Sequence, residues 1–215
     1  MSTFERPWFL CGGWAIDAWL GEQTRSHLDV DICVFIDDQQ ALFQHLDGWN
    51  LVAHDDETED ALQARPGAWR PSSEIWSGRR LILPAHLHAR PPGEANLAAL
   101  MQWVTPPHTA VRDGLDFDII FNEGDAESWV LNDSPRIVLP MEKAVRRTPA
   151  GIPSATPEVL AFFKASAYRG LPGYPRKHDL ADFTAILPTL SGEGRAWLQE
   201  SMAALPHPWL AHFAS

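Results

Sequence analysis

Trp8-Phe9-Leu10-Cys11-Gly12-Gly13-Trp14-Ala15-Ile16-Asp17-Ala18-Trp19-Leu20-Gly21 joins two periodicities across a pair of glycines. The first four residues are a short apolar run of strand type. Apolar groups at Trp14, Ile16, Ala18 and Trp19 then recur at helical spacing until Gly21 stops them. The unit reads as strand, glycine turn, helix. With no side chains at Gly12 and Gly13, backbone N–H groups at a helix N-terminus can approach phosphate oxygens; without a phosphate the same pair is only a tight turn.

Beyond Gln23-Thr24-Arg25-Ser26-His27, the segment Asp29-Val30-Asp31-Ile32-Cys33-Val34-Phe35 has the β-branched and aromatic content of a strand. Side chains two apart on a strand share a face, with Cα atoms about 6.6 Å apart, so Asp29 and Asp31 are expected to point the same way. Two carboxylates on one face suit a hard cation with oxygen ligands, and magnesium is the cation that accompanies triphosphates. An Asp-x-Asp also occurs on exposed edge strands, so further features have to support that reading. Leu115 to Phe121 is a second strong strand candidate, and either Asp116 or Asp118 on it brings a third carboxylate if the two strands are neighbours.

The rest of the chain supplies a helix from a cap at Asp37 or Asp38 to about Leu46, and strands near 49–53, 80–83, 86–90 and 136–139. Thr156-Pro157-Glu158 starts a helix running through Arg169, followed by helices over 178–187 and 193–205. Lys164, one turn beyond Leu160, sits near the border of the apolar face; it can reach a triphosphate oxygen or simply lay its stem over apolar surface. Arg25 before the strand is a phosphate ligand or a surface residue. Asp17 on the first helix reads as a structural hydrogen-bonding group. A few of the ten Trp residues can stack a base, but most must be core.

Composition bounds the partners. The 215 residues are 45% apolar and 21% charged, as in a globular chain, and 17 Lys plus Arg against 28 Asp plus Glu give a net charge of −11. Such a balance argues against extended nucleic acid, which is held by basic patches, and favours cationic ligands. The run His54 to Asp60 concentrates that charge locally, and reads as a solvated loop or as part of a surface for a cationic ligand. No signal sequence and no membrane-length apolar segment is visible, so a cytoplasmic protein without membrane attachment is expected. Cys11 and Cys33, each inside an apolar run, read as reduced core residues.

The ordered set Cys11-Gly12-Gly13-Trp14-Ala15-Ile16-Asp17 and Gln23 to Asp31 resembles the signature of the aminoglycoside and lincosamide nucleotidyltransferases, in the DNA polymerase β-like superfamily. The likeness is close over Phe9 to Phe35. It is moderate over Asp116 to Phe121 and from Arg136 to Leu187, taking in Lys143, Gly151-Ile152-Pro153, Lys164 and Arg176 to Phe183. The resemblance implies an α/β (α+β) fold, with a mixed sheet flanked by helices in a catalytic domain over 1–150 and a C-terminal helical section over 151–215.

It further implies Gly12 and Gly13 as the phosphate turn, Asp29 and Asp31 as Mg2+ ligands, Asp118 as third carboxylate and base, and Arg25 and Lys164 as nucleotide-binding cations. Asp118 is chosen over Asp116 because it directly precedes the apolar Ile119-Ile120. Gly13 stands where the wider superfamily has serine, which removes a hydroxyl contact and fits the small-molecule branch.

The implied reaction is attack by a small-molecule hydroxyl on the α-phosphorus of ATP or another nucleoside triphosphate, releasing pyrophosphate, in a monomer or homodimer. Transfer to a protein partner and nucleotide binding without turnover are the competing expectations.

Overall fold

The computed structural model describes residues 1, 3–27, 29–54, 86–90, 117–133, 136–166, 177–203 and 209. The expected strand over 80–83, the acidic residues 55–60, Asp116, and the helix ends beyond 166 and 203 lie outside these residues. Contacts divide the chain into two compact units, Met1–Trp8 with His27–Ala126 and Phe9–Ser26 with Glu127–Ser215.

In the first unit, strands β2 (Val30–Phe35), β3 (Asn50–His54), β4 (His86–Arg90) and β5 (Phe117–Asn122) hydrogen-bond in the order β3-β4-β5-β2. β2 runs parallel to β5, whereas β4 is antiparallel to both β5 and β3, so the sheet is mixed as expected. Ile32, Cys33, Val34 and Phe35 are all buried, as are Ile119 and Phe121. This continuous burial explains why β2 has an unbroken apolar run instead of strict alternation. Helix α2 (Gln39–His45) follows a 3-10 turn over Ile36–Asp38 and buries Leu42. Asp38 occupies its N-cap position without a side-chain cap bond. Its carboxylate instead lies 3.6 Å from Arg6 Nε, which corrects the expected capping role.

The second unit holds β1 from Phe9 onward (strand Trp8–Leu10), helix α1 (Gly12–Leu20), the hairpin β6 (Ser128–Asp133) and β7 (Arg136–Pro140), and the short helix α3 (Met141–Ala144). β8 (Val145–Arg147) pairs antiparallel with β9 (Pro153–Ala155), which runs parallel to β1. Helices α4 (Pro157–Ser166), α5 (Lys177–Ile186) and α6 (Gly192–Ala203) complete it; α4 packs on α5, α6 and α1. Gly21 closes α1 in the left-handed region at φ +78°, with its N–H on the Asp17 carbonyl, as a glycine C-cap should. Cys11 and Cys33 are buried and form no disulfide, as expected.

An aromatic chain fills this unit. The Trp129 ring lies 4.6 Å from Phe9 and 5.4 Å from Phe163, and Phe162 stands 5.9 Å from Phe163 and 5.8 Å from Trp197. Trp129 is fully buried. Trp129→Ala is expected to cost about 3–5 kcal/mol, since neighbouring rings cannot close so large a cavity; urea unfolding followed by Trp fluorescence measures it. Among the described residues no helix is long and apolar enough to cross a membrane.

Candidate functional site

Two of the three expected carboxylates are neighbours. The parallel register of β2 and β5 sets Asp31 directly beside Asp118, each the second residue of its strand. In-register residues on adjacent strands point to the same face, and such strands lie about 4.8 Å apart. Asp118 is buried at 8% exposure, and Asp31 is half-buried. Asp29 lies in a bend one residue before β2 and is also half-buried. The strand therefore begins later than the expected Asp29, and the two-apart geometry of a regular strand does not extend to it.

On the other edge of β5 the backbone of β4 pairs antiparallel, with His88 as the register partner of Asp118. Among the described residues, no group of three or more His, Cys, Asp and Glu side chains is placed to hold a metal ion. Asp31 and Asp118 still supply the carboxylate oxygens that a hard cation takes as ligands.

In the second unit the glycine pair opens α1. Gly12 is the first helical residue and has φ +66°, a conformation that favours glycine, and Gly13 is buried. Cys11 at the N-cap makes no side-chain cap bond, so the first-turn N–H groups receive nothing from that side chain. At the other end, Asp17 is buried, and its Oδ1 accepts hydrogen bonds from Thr24 N at 3.1 Å and Thr24 Oγ1 at 2.6 Å. This is the structural role expected for it, and it pins the segment that follows the helix.

Arg25 and Lys164 meet carboxylates that the sequence reading did not single out. Arg25 Nε donates to Asp182 Oδ1 at 2.9 Å and its Nη2 to Oδ2 at 2.8 Å, a bidentate fork, while Nη1 donates to the Ser26 carbonyl at 3.1 Å. Lys164 Nζ lies 2.8 Å from the same Asp182 Oδ2 and donates to Asp179 Oδ1 at 3.1 Å. Asp179 and Asp182 are three apart on α5 and so share a face. Lys164 is buried at 8% exposure, deeper than a helix-border position implies. Lys143 instead reaches Glu193 at 2.9 Å on the surface.

Burial alone would raise the Asp182 carboxyl, but hydrogen bonds and charge from Arg25 and Lys164 outweigh it and hold the group down at about 2. A carboxylate depressed from 3.8 in this way contributes stability above pH about 4 that is lost as pH falls toward 2. The expected contribution is on the order of 2 kcal/mol, from the shift at 1.36 kcal/mol per unit. Unfolding midpoints measured from pH 5 down to pH 2 should therefore fall more steeply for the natural chain than for Asp182→Asn.

Residues 1–65 match the model of the family described as aminoglycoside-2''-adenylyltransferase, a span that holds Gly12, Gly13, Arg25, Asp29 and Asp31 but ends before Asp118 and Lys164. No curated protein matches the chain in sequence. Among solved structures, ANT(2'')-Ia in complex with adenylyl-2''-tobramycin is similar at 15% identity and a TM-score of 0.50, over 93% of this chain and 87% of that one. Another is the lincosamide antibiotic adenylyltransferase LnuA, lincomycin-bound, at 18% identity and a TM-score of 0.48, over 86% of this chain and 88% of that one. Residues 1–65 thus carry the pattern of that adenylyltransferase family, and the chain's fold is similar to that of ANT(2'')-Ia.

Proposed function

We propose that this nucleotidyltransferase moves a nucleoside monophosphate, AMP in the first instance, from a nucleoside triphosphate to a hydroxyl group of a small antibiotic of aminoglycoside or lincosamide type. The observation that carries the reading is the in-register pair Asp31 and Asp118, with Asp31 and Asp29 inside the stretch that matches an adenylyltransferase family. The net charge of −11 supports a cationic acceptor, and the chain is taken to work in the cytoplasm as a monomer or homodimer.

Asp29, Asp31 and Asp118 are the residues that would hold magnesium, which when bound neutralises charge developing on the phosphoryl oxygens. The acceptor hydroxyl oxygen forms the new bond to the α-phosphorus as the bond to the β-phosphate oxygen breaks and pyrophosphate leaves. Asp118 takes the hydroxyl proton. A base so placed contributes about 10²–10⁴-fold. The first turn of α1 at Gly12 and Gly13 offers N–H groups to phosphate oxygens, and Arg25, with the buried Lys164 on the same Asp182, supplies positive charge to the triphosphate.

Metal removal tests this reading. Chelation with EDTA is expected to abolish acceptor-dependent pyrophosphate release, and excess Mg2+ to restore it. Full activity in the chelated protein would remove the carboxylates from a metal-holding role.

A further inference from the structure

We infer that Asp182 is a positioning residue for nucleotidyl transfer, acting on the triphosphate through Arg25. The inference rests on the transferase reading given above. Its basis is a cluster in which two cations, Arg25 and Lys164, meet two carboxylates, Asp179 and Asp182, within one compact unit.

Asp182 is the hub. Its Oδ1 takes Arg25 Nε, and its Oδ2 takes both Arg25 Nη2 and Lys164 Nζ, while its own side chain is only 3% exposed. Asp179, fully buried, takes Lys164 Nζ on its Oδ1, with His178 Nε2 3.7 Å from the same oxygen. The Arg25 side chain keeps 26% of its surface exposed, so it is the member of the cluster that both has a fixed anchor and meets solvent. A bidentate fork fixes the plane of a guanidinium as well as its position, which a single hydrogen bond does not.

The anchor also has a covalent consequence. Arg25 is four residues ahead of Asp29 and six ahead of Asp31, and Thr24 just before it is held by Asp17. Two buried carboxylates on different helices therefore fix consecutive residues at the start of the segment that leads into the proposed metal ligands. Asp182 touches no reacting atom in this scheme. Removing its charge takes the fork away from Arg25 while the Nη1 contact to the Ser26 carbonyl stays, and the fixed plane of the guanidinium is the quantity lost.

The test is a double-mutant cycle on steady-state kinetics, using the full chain with ATP, Mg2+ and an acceptor that supports pyrophosphate release. Asp182→Asn and Arg25→Gln are each expected to raise KM for ATP about tenfold, as befits loss of one charge-assisted contact, with KM for the acceptor unchanged. The double variant is expected to be no worse than Arg25→Gln, because Asp182 acts through Arg25. Because Asp182 is buried, Arg25→Lys serves as a second variant: it keeps the charge at a partly exposed site, loses the fork, and is expected to raise KM for ATP comparably.

Independent, multiplicative effects in the double variant, or a lowered Tm with KM for ATP unchanged in Asp182→Asn and Arg25→Lys, would overturn the inference while leaving the transferase reading intact. A natural chain that neither binds ATP nor releases pyrophosphate with any acceptor would overturn the transferase reading, and this inference with it.

Discussion

Asp31→Asn is expected to lower acceptor-dependent pyrophosphate release by about 10³-fold or more while leaving the folded state intact. Charge stabilisation of a developing phosphoryl transition state is among the largest contributions a site makes, and one lost donor or ligand typically costs 10²–10³-fold even without a metal. Stability should move the other way, if at all. Asp31 and Asp118 stand in register on adjacent strands, where like charges repel, so an amide at 31 removes a destabilising term. A melting temperature unchanged or slightly raised, beside a collapsed rate, is therefore the signature to look for by calorimetry and kinetics. A large loss of Tm would instead make Asp31 a structural residue.

Asp118→Asn is the second large effect, and its pH dependence separates it from the first. If Asp118 takes the hydroxyl proton, the amide removes the base as well as a ligand, and the loss should reach the upper part of the 10²–10⁴ range expected for a general base. Raising the pH ionises more of the acceptor hydroxyl without help, so the deficit of Asp118→Asn relative to the natural chain should shrink at alkaline pH. The deficit of Asp31→Asn should not. Equal deficits at every pH from 6 to 9 would limit Asp118 to binding cation, and return the role of base to another group such as Asp116.

The elements that the sequence made legible are those whose apolar pattern is long or carries punctuation. Strand β2 is a run of six residues, four of them buried, and α1 lies between two glycines that both adopt positive φ. Gly12 and Gly21 could be read from residue type because few other residues tolerate that backbone. The strands β6, β8 and β9 were not legible. Val145–Arg147 offers one apolar residue and Pro153–Ala155 none of strand type; they are strands because they pair with each other and β9 also pairs with β1.

The carboxylates show the same division. That Asp31 and Asp118 belong together was conditional on their strands being neighbours, and only the parallel β2–β5 register supplies that condition. The start of β2 at Val30 shows the limit of period-two reasoning at a strand end, where Asp29 leaves the regular pleat. Lys164 was legible as a cation on a helix, but its burial was not. That depends on Asp179 and Asp182, fifteen and eighteen residues downstream, arriving on the same face of α5 to balance its charge.

The most direct measurement of the central claim follows the nucleotide itself. The chain is incubated with α-phosphate-labelled ATP, Mg2+ and a panel of aminoglycosides and lincosamides in the presence of cellular proteins, and the label is traced by mass. One label on a hydroxyl of a small-molecule acceptor is expected for each pyrophosphate released, with none when Asp31 is replaced by Asn. Label on a polypeptide, or ATP bound with no pyrophosphate released for any acceptor, would contradict transfer to a small molecule.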